Sequence, residues 1–226
     1  MKKNIFLILL ILSGCTTIPS STALPTSSSS RISDQILASF EFDSKCPHMC
    51  WLGINPGKTT QNDAIAILRA SEAIDQGSFV NYDDYLSVIW FMGNTREFEY
   101  PVTIVFENGA VKSIGFANLI ELTINDLFKI LGKPDEINIS YELPPDGPRY
   151  IRYIVYYPRQ KIRIDINPAP WNEPNPQDVV RGFGLNQEYP YTNPGWSNLQ
   201  PWLGFGHLKD YLPGVEIPTA IPSATP

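Results

Sequence analysis

The sequence predicts an α+β fold with two layers, in which a helix followed by an antiparallel meander of strands occurs twice in tandem. The same helix-start pattern occurs at Thr60 and at Thr123, which are 63 residues apart. Each start is followed by three segments that are rich in β-branched and aromatic residues. Asn108-Gly109 lies between two of these segments and predicts a hairpin turn, because both positions accept a positive φ.

The first helix should begin after Thr60, because Thr60 and Asp63 form a variant of the capping box with aspartate in place of glutamate. Residues 61–74 have an apolar face at helical spacing, and Gly77 is the expected stop. This face consists of Ala64, Ile65, Ile67, Leu68 and Ile74. The strands expected after this helix are Ser87–Met92, Val102–Phe106 and Val111–Phe116.

The second helix should begin after Thr123, where Asp126 completes the same kind of cap. It should end at Gly132, because a helix C-cap favours a left-handed residue, and Pro134 blocks continuation. Pro158-Arg159 is the expected turn between the last two strands of this unit. The strands expected after this helix are Glu136–Tyr141, Tyr150–Tyr157 and Gln160–Ile166.

Two short motifs lie near the helices of the two predicted units. Gly53-Ile-x-Pro-Gly-x-Thr-Thr60 is similar to the opening of the SmpA/OmlA (BamE-like) domain, and Leu131-Gly-x-Pro-Asp135 is similar to the end of its helical unit. The first unit has the opening motif without the closing one, and the second unit has the reverse. Two such units in tandem resemble the β-lactamase inhibitor protein-like (BLIP-like) fold, over roughly residues 50–166. The resemblance implies a binding or assembly module.

The N-terminal residues combine a basic pair, a short apolar run and a cysteine. Lys2-Lys3 precedes the apolar run Ile5–Leu12, which is about half as long as the ~20 residues of a membrane-spanning helix. The run ends in Leu12-Ser13-Gly14-Cys15, which is similar to the lipobox of bacterial lipoproteins. This resemblance predicts a signal peptide and a lipid anchor (palmitate) on Cys15, in the cell envelope and facing the periplasm or the cell exterior. The alternative is an ordinary secretory signal with a chance cysteine.

Composition predicts the boundaries of the remaining segments. Serine, threonine and proline dominate the residues after Cys15, which should form a flexible tether. Twelve of the 21 prolines lie from Pro158 onward, so the C-terminal part should be irregular. The predicted boundaries are 1–14 for the signal peptide, 15–35 for the lipidated tether, 36–213 for a single α+β domain, about 50–120 and 121–167 for its two units, 168–213 for an irregular arm rich in proline and aromatic residues, and 214–226 for a disordered tail.

Cys46 and Cys50, with His48 and Met49 between them, form the sharpest cluster of reactive side chains. Exported proteins meet oxidising surroundings, so a disulfide is the first interpretation. A thiol-redox pair and a Cu(I) site are the alternatives, because thiolates, a thioether and an imidazole lie within five residues. The only other histidine is His207, and the sequence predicts no resident metal and no cofactor.

Aromatic residues of the predicted arm are the candidate binding residues. Either they fill a groove between the arm and the sheet, or they form an exposed platform for a glycan or a protein partner. These candidates are Trp171, Tyr189, Tyr191, Trp196 and Trp202.

The charge of the chain narrows the classes of partner. The formal net charge is −6, and loss of residues 1–14 removes two lysines and no acidic residue, which makes it −8. An acidic chain without a basic patch is a poor binder of nucleic acid. Two histidines and scattered acidic residues supply no catalytic arrangement. We therefore expect a non-enzymatic, membrane-anchored module that binds an envelope protein, with glycan binding as the alternative and thiol-redox or copper handling as the third function.

Overall fold

The computed structural model describes residues 28–42, 46, 49–92, 98–142, 150–166, 175–186, 199–206 and 208–211. The helices in these ranges are α1 (Ser28–Ala38), α2 (Gln61–Ala70), α3 (Ile124–Leu131) and α4 (Leu208–Tyr211). The strands are β1 (Phe40–Glu41), β2 (Cys50–Trp51), β3 (Val80–Asn81), β4 (Tyr85–Met92), β5 (Phe98–Glu107), β6 (Ala110–Ala117), β7 (Glu136–Glu142), β8 (Tyr150–Tyr157), β9 (Ile162–Ile166), β10 (Val180–Leu185) and β11 (Leu199–Pro201). The predicted signal peptide, Cys15 and the predicted tail at 214–226 lie outside these ranges.

One large sheet dominates the fold. Its strand order is β11-β7-β8-β9-β10-β6-β5-β4-β3, and all of its neighbouring strands are antiparallel. Strands β1 and β2 form a separate antiparallel pair. The predicted α+β class is confirmed by this combination of helices with an antiparallel sheet.

The sheet contains two four-stranded meanders that meet through their last strands. Strands β3 to β6 pair in chain order, as do strands β7 to β10. The meanders join where β6 pairs with β10, from Gly182↔Ala117 to Leu185↔Ile114. Helix α2 precedes the first meander and α3 precedes the second. Buried residues of both meanders belong to one hydrophobic cluster, so the two units share a core.

Both predicted helix starts are confirmed. The hydroxyl oxygen of Thr60 accepts a hydrogen bond from the backbone N–H of Asp63 at 3.2 Å. Thr123 forms a full capping box with Asp126, in which each side chain accepts from the other residue's backbone N–H. Helix α3 ends as predicted at Gly132, whose positive φ of 77° favours glycine. These local signals therefore fix where the helices of the two units begin and where α3 ends.

Helix α2 ends at Ala70 rather than near Ile74, which corrects the predicted length. The side-chain amide of Gln76 donates to the carbonyl oxygen of Leu68 at 3.1 Å. The backbone N–H of Ser71 donates to the same oxygen at 3.2 Å, so this carbonyl at the end of the helix has two partners. Ile74 instead forms a β-bridge with Trp90 and is buried there.

The prediction of an irregular arm over residues 168–213 is wrong for strand β10. This strand lies inside the sheet, between β9 and β6. Val180, Phe183 and Leu185 are buried in the shared core. Gly182 and Gly184 obscure the strand in the sequence, because glycine is depleted in strands and breaks the alternation of apolar residues. The predicted arm also contains β11 and α4.

Helix α1 begins at Ser28, within the range predicted as a tether. Ile32 and Ile36 lie one helical turn apart and are 7% and 0% exposed, so they belong to the core. Phe40 follows in β1 and contacts the rings of Trp90 and Phe183, at centroid distances of 6.2 and 5.0 Å. The serine-rich composition therefore continues into the start of a packed helix.

Candidate contact surface on the outer face of the sheet

The large sheet has a core face and an opposite face, which we call the outer face. Side chains alternate between the two faces along each strand. In β5, Val102 and Ile104 enter the core, whereas Pro101, Thr103 and Val105 lie on the outer face. Pro101 and Thr103 are exposed, and Val105 is half-buried. The outer face is therefore open to contact at this strand.

The centre of the outer face over β4, β5 and β6 has no charged side chain, and we call this area the neutral patch. Thr103 pairs with Ser87 of β4 and with Gly115 of β6, in one row across three strands. The open face of an antiparallel sheet usually carries polar residues in alternation, and depletion of charge is a property of interface cores. The neutral patch consists of Tyr85, Ser87, Ile89, Pro101, Thr103, Val105, Gly115 and Ala117.

Beside the neutral patch, β8 and β9 bring two arginines to one carboxylate. Arg163 donates from Nε to Asp165 Oδ1 at 2.9 Å and from Nη2 to Oδ2 at 3.0 Å. Arg152 donates from Nη2 to Asp165 Oδ2 at 3.2 Å. Burial raises the pKa of neighbouring Tyr156, an effect that Asp165 increases and the two arginines oppose. We call Arg152, Arg163 and Asp165 together the arginine cluster.

A shallow cavity of about 150 Å³ lies between the arginine cluster and the neutral patch. Gly184 and Gly115 pair directly at the junction of the two meanders, so this part of the sheet carries no side chain on its outer face. Sites for drug-sized ligands have volumes from about 300 Å³ upward, so the cavity matches a single side chain better. Its lining consists of Gly115, Phe116, Arg163, Asp165, Gly182, Phe183 and Gly184.

Two of the glycines that line the cavity differ in the space that surrounds them. A Cβ atom at Gly182 would lie 3.0 Å from Asp165 Oδ2 and 3.2 Å from its Cβ, so a side chain there would crowd the carboxylate. A Cβ atom at Gly115 would meet only the carbonyl oxygen of Thr103, at 3.9 Å, which is an ordinary contact. Gly182 therefore makes room for the arginine cluster, whereas the packing around Gly115 leaves space for a side chain.

The outer face is not equally accessible over all strands. Ile154 of β8 and Asn138 of β7 lie on it in one row with Asp165, yet they are only 1% and 2% exposed. Tyr156, in the next row of β8, is 3% exposed. At β10, Gly182 is half-buried and Gly184 is buried, so the accessible part of the outer face lies mainly over β9, β6, β5 and β4.

Cys46 and Cys50 are joined by a disulfide bond, as predicted, with their Cα atoms 5.5 Å apart. They are 6% and 0% exposed. Disulfide exchange requires access for an attacking thiolate, so this burial favours a structural bond over a redox pair. His48, which the copper alternative requires, lies outside the described residues.

Trp202 is the one predicted binding residue within the described part of the chain. It is half-buried, and its ring lies 5.7 Å from that of Phe128 on α3 and 5.2 Å from that of Phe205. Its ring also lies 6.4 Å from that of Tyr211 in α4. These contacts match the interpretation in which the aromatic residues fill a groove. The other candidates, Trp171, Tyr189, Tyr191 and Trp196, lie outside the described residues.

The residues around the cavity were not predicted as a site. Arg163 and Asp165 alternate with isoleucines in β9, and this alternation places both side chains on one face of a strand. Gly182 and Gly184 alternate in the same way in β10. These two patterns are visible in the sequence, but their proximity depends on the pairing of β9 with β10.

Among the described residues, no three His, Cys, Asp or Glu side chains are grouped so that they could hold a metal ion. None of the helices in those ranges has the length and apolar character to cross a membrane. No protein-family model, curated protein or solved structure matches the chain.

Proposed function

We propose that this protein is a lipid-anchored module of the bacterial cell envelope that binds another protein through the accessible outer face of its sheet. The observation that carries this proposal is the neutral patch, which consists of uncharged and partly exposed residues beside the arginine cluster. Such a surface has the composition of an interface core with a polar margin. The motif resemblance to the SmpA/OmlA family supports the same class of function.

We also propose that the two units are BLIP-like tandem units. Each has a capped helix followed by a meander of four strands, and the meanders join through equivalent strands, β6 and β10. This order of elements is expected when one unit is repeated and the two copies share a sheet.

The contact surface can be tested by photo-crosslinking in cells. A benzophenone amino acid replaces Thr103, which is exposed at the centre of the neutral patch, or Asn62, which is exposed on helix α2. We expect a discrete crosslinked product of higher mass from position 103, because that surface should be covered by the partner. Position 62 is the matched control and should give none. Equal yields from both positions, or no product from position 103, would contradict the proposed surface.

The anchor can be tested separately through Cys15. The unsubstituted protein should carry a diacylglyceryl adduct by mass spectrometry, and Cys15→Ser should remove both the adduct and the membrane association. Cys50→Ser is the control, since it changes a cysteine of the disulfide but leaves the proposed acceptor in place. Membrane association that persists in Cys15→Ser, together with no adduct in the unsubstituted protein, would refute the anchor.

A further inference from the structure

Leu203 is an apolar side chain that the fold leaves in solvent. It is 51% exposed and lies in the segment 202–206, between β11 and α4, which we call the apolar loop. The rings of Trp202 and Phe205 pack against that of Phe128 on α3, at centroid distances of 5.7 and 5.5 Å. The apolar loop therefore lies beside α3, on the side of the sheet that the helices cover. A large apolar side chain exposed beside such a cluster indicates a contact site.

Hydrogen bonds fix the backbone of the apolar loop. The hydroxyl group of Tyr211, which is 1% exposed, accepts from the N–H of Leu203 and donates to the carbonyl oxygen of Gly204 at 3.4 Å. Gly204 and Gly206 have positive φ values of 111° and 79°, which favour glycine. Leu203 therefore projects from an ordered turn, and a side chain on such a backbone loses little freedom when it binds.

The chain enters the domain on this same side. The pKa of Lys129 on α3 is raised mainly by its hydrogen bond to Asp126, and the carboxylate of Asp34 on α1 adds to this effect. Helices α1 and α3 are therefore neighbours in the layer that also contains the apolar loop. Helix α1 begins at Ser28, six residues before Asp34, which is about 9 Å along a helix.

The proposed lipid anchor is joined to the domain by a short segment. Twelve residues, 16–27, separate Cys15 from Ser28. A flexible chain of that length has a typical reach of about 20 Å. An anchor on Cys15 would thus bring the lipid surface close to the helix layer, whereas the outer face of the sheet lies on the opposite side of the molecule.

We propose that the apolar loop inserts Leu203 into the lipid surface that carries the anchor, so that the helix layer faces the membrane and the outer face of the sheet faces the partner protein. This inference rests on the proposed function and adds the orientation of the domain. Tryptophan and phenylalanine beside the leucine suit the boundary between headgroups and acyl chains. The contact is apolar and needs no anionic lipid, which agrees with a chain whose net charge is −6.

The inserted position can be tested with the full-length lipidated protein in phosphatidylcholine vesicles. The environment-sensitive fluorophore NBD is attached to Leu203→Cys, or to Thr103→Cys on the outer face as the control. Cys46 and Cys50 share a disulfide, and Cys15 should carry the lipid, so the new thiol is the one that reacts. We expect the probe at position 203 to emit further to the blue and to be quenched by doxyl groups on the acyl chains. The probe at position 103 should emit as in water.

A second measurement removes any effect of the fluorophore on insertion. With the probe at Ile130→Cys, a position of α3 that is 41% exposed, Leu203→Glu should reduce quenching by the doxyl lipids, and Leu203→Met should retain it. Val80→Glu is the matched control, because Val80 is 46% exposed but lies in β3, at the other end of the sheet from β11. It should leave the quenching at position 130 unchanged. These exposed substitutions should keep the melting temperature.

The outcomes separate this inference from the proposed function. A vesicle-bound protein whose probe at position 203 emits as in water overturns the inference and leaves the anchor in place. The same is true if Leu203→Glu leaves the quenching at position 130 unchanged, or if position 203 is shielded in cell envelopes but not on protein-free vesicles, which would indicate a protein partner for Leu203. An unsubstituted protein that has no lipid adduct and stays free of the vesicles overturns both the anchor and the inference.

Discussion

At the scale of single residues, two glycines on neighbouring strands should respond to alanine in opposite ways. We expect Gly115→Ala to stabilise the protein by about 0.5–1 kcal/mol, because alanine lowers the entropy of the unfolded chain and fits the open space. Gly182→Ala should destabilise it by about 1–3 kcal/mol, because the new Cβ crowds Asp165 at 3.0 Å. Urea unfolding followed by circular dichroism measures both. If both substitutions raise the free energy of unfolding, or both lower it, this assignment of their roles is wrong.

The capping box of α3 should make stability depend on pH. Burial alone would raise the pKa of Asp126, but hydrogen bonds from Lys129 and Thr123 outweigh it and hold the pKa below its ordinary value. Since the folded pKa is lower than the unfolded one, the carboxylate stabilises the fold above about pH 4, and this contribution is lost as the pH falls through the folded pKa. Asp126→Asn should therefore reduce the loss of stability between about pH 4 and pH 2.

The measurement for Asp126 is urea unfolding at several pH values. At pH 7 the asparagine variant should be destabilised by about 1 kcal/mol, the usual value of a helix cap. Lys129→Gln serves as a comparison, because it removes one of the hydrogen bonds to Asp126 and keeps the Thr123 cap. If acidification destabilises the Asp126→Asn variant as steeply as the unsubstituted protein, another carboxylate causes the pH dependence of stability.

Single-residue features were also the most predictable part of the fold. Thr60, Thr123 and Gly132 have the capping roles expected from their side chains. Asn108 and Gly109 have φ values of 53° and 75° in the turn between β5 and β6, as a hairpin of that type requires. Each of these roles depends on a few neighbouring residues, so the local sequence is sufficient. At the end of α2, the carbonyl oxygen of Leu68 accepts from the side chain of Gln76, a contact that no capping rule anticipates.

At the scale of elements, β10 should be as important to stability as any strand of the predicted meanders. Phe183 is 2% exposed, and its ring lies 5.0 Å from Phe40 and 5.8 Å from Phe116. We expect Phe183→Ala to cost about 3–5 kcal/mol, as for other buried phenylalanines. Arg181→Ala, at an exposed position of the same strand, should cost less than the loss of the buried ring. Similar small losses for both variants would mean that β10 lies loosely on the sheet.

The position of β10 could not be inferred from the sequence because its partners are distant. It pairs with β9 across the segment 167–179 and with β6, whose last residue lies more than sixty positions earlier in the chain. Its own pattern is weakened by two glycines, and the prolines around it suggest irregular structure. The candidate site could not be inferred for the same reason, because its residues come from the separate strands β6, β9 and β10. Alternation predicts which face Arg163 and Asp165 share, but not which strand lies beside them.

At the scale of the whole molecule, the shared core predicts that the two units unfold together. The β6–β10 junction is a continuous antiparallel ladder, and the buried cluster includes residues from both meanders and from α1. We expect one cooperative transition, coincident by far-ultraviolet circular dichroism and by tryptophan fluorescence. A fragment that ends at residue 120 should show no cooperative melting, since β6 would lose its partner β10. Cooperative melting of that fragment would mean that the first unit is an independent domain.

The strands at both edges of the large sheet are short, and under the proposed lipid anchor this has a consequence for copies that share one membrane. The outermost strands, β3 and β11, have two and three residues. Beyond β3, the edge of β4 is occupied by its own chain, because Phe91 N–H donates to the carbonyl oxygen of Ala73 at 2.7 Å and Asp75 N–H donates to that of Ile89 at 2.9 Å. Long open edges are templates for aggregation through strand addition. A lipid anchor would concentrate the protein in two dimensions, and these blunted edges would keep neighbouring copies separate while leaving the broad face of each sheet open to its partner.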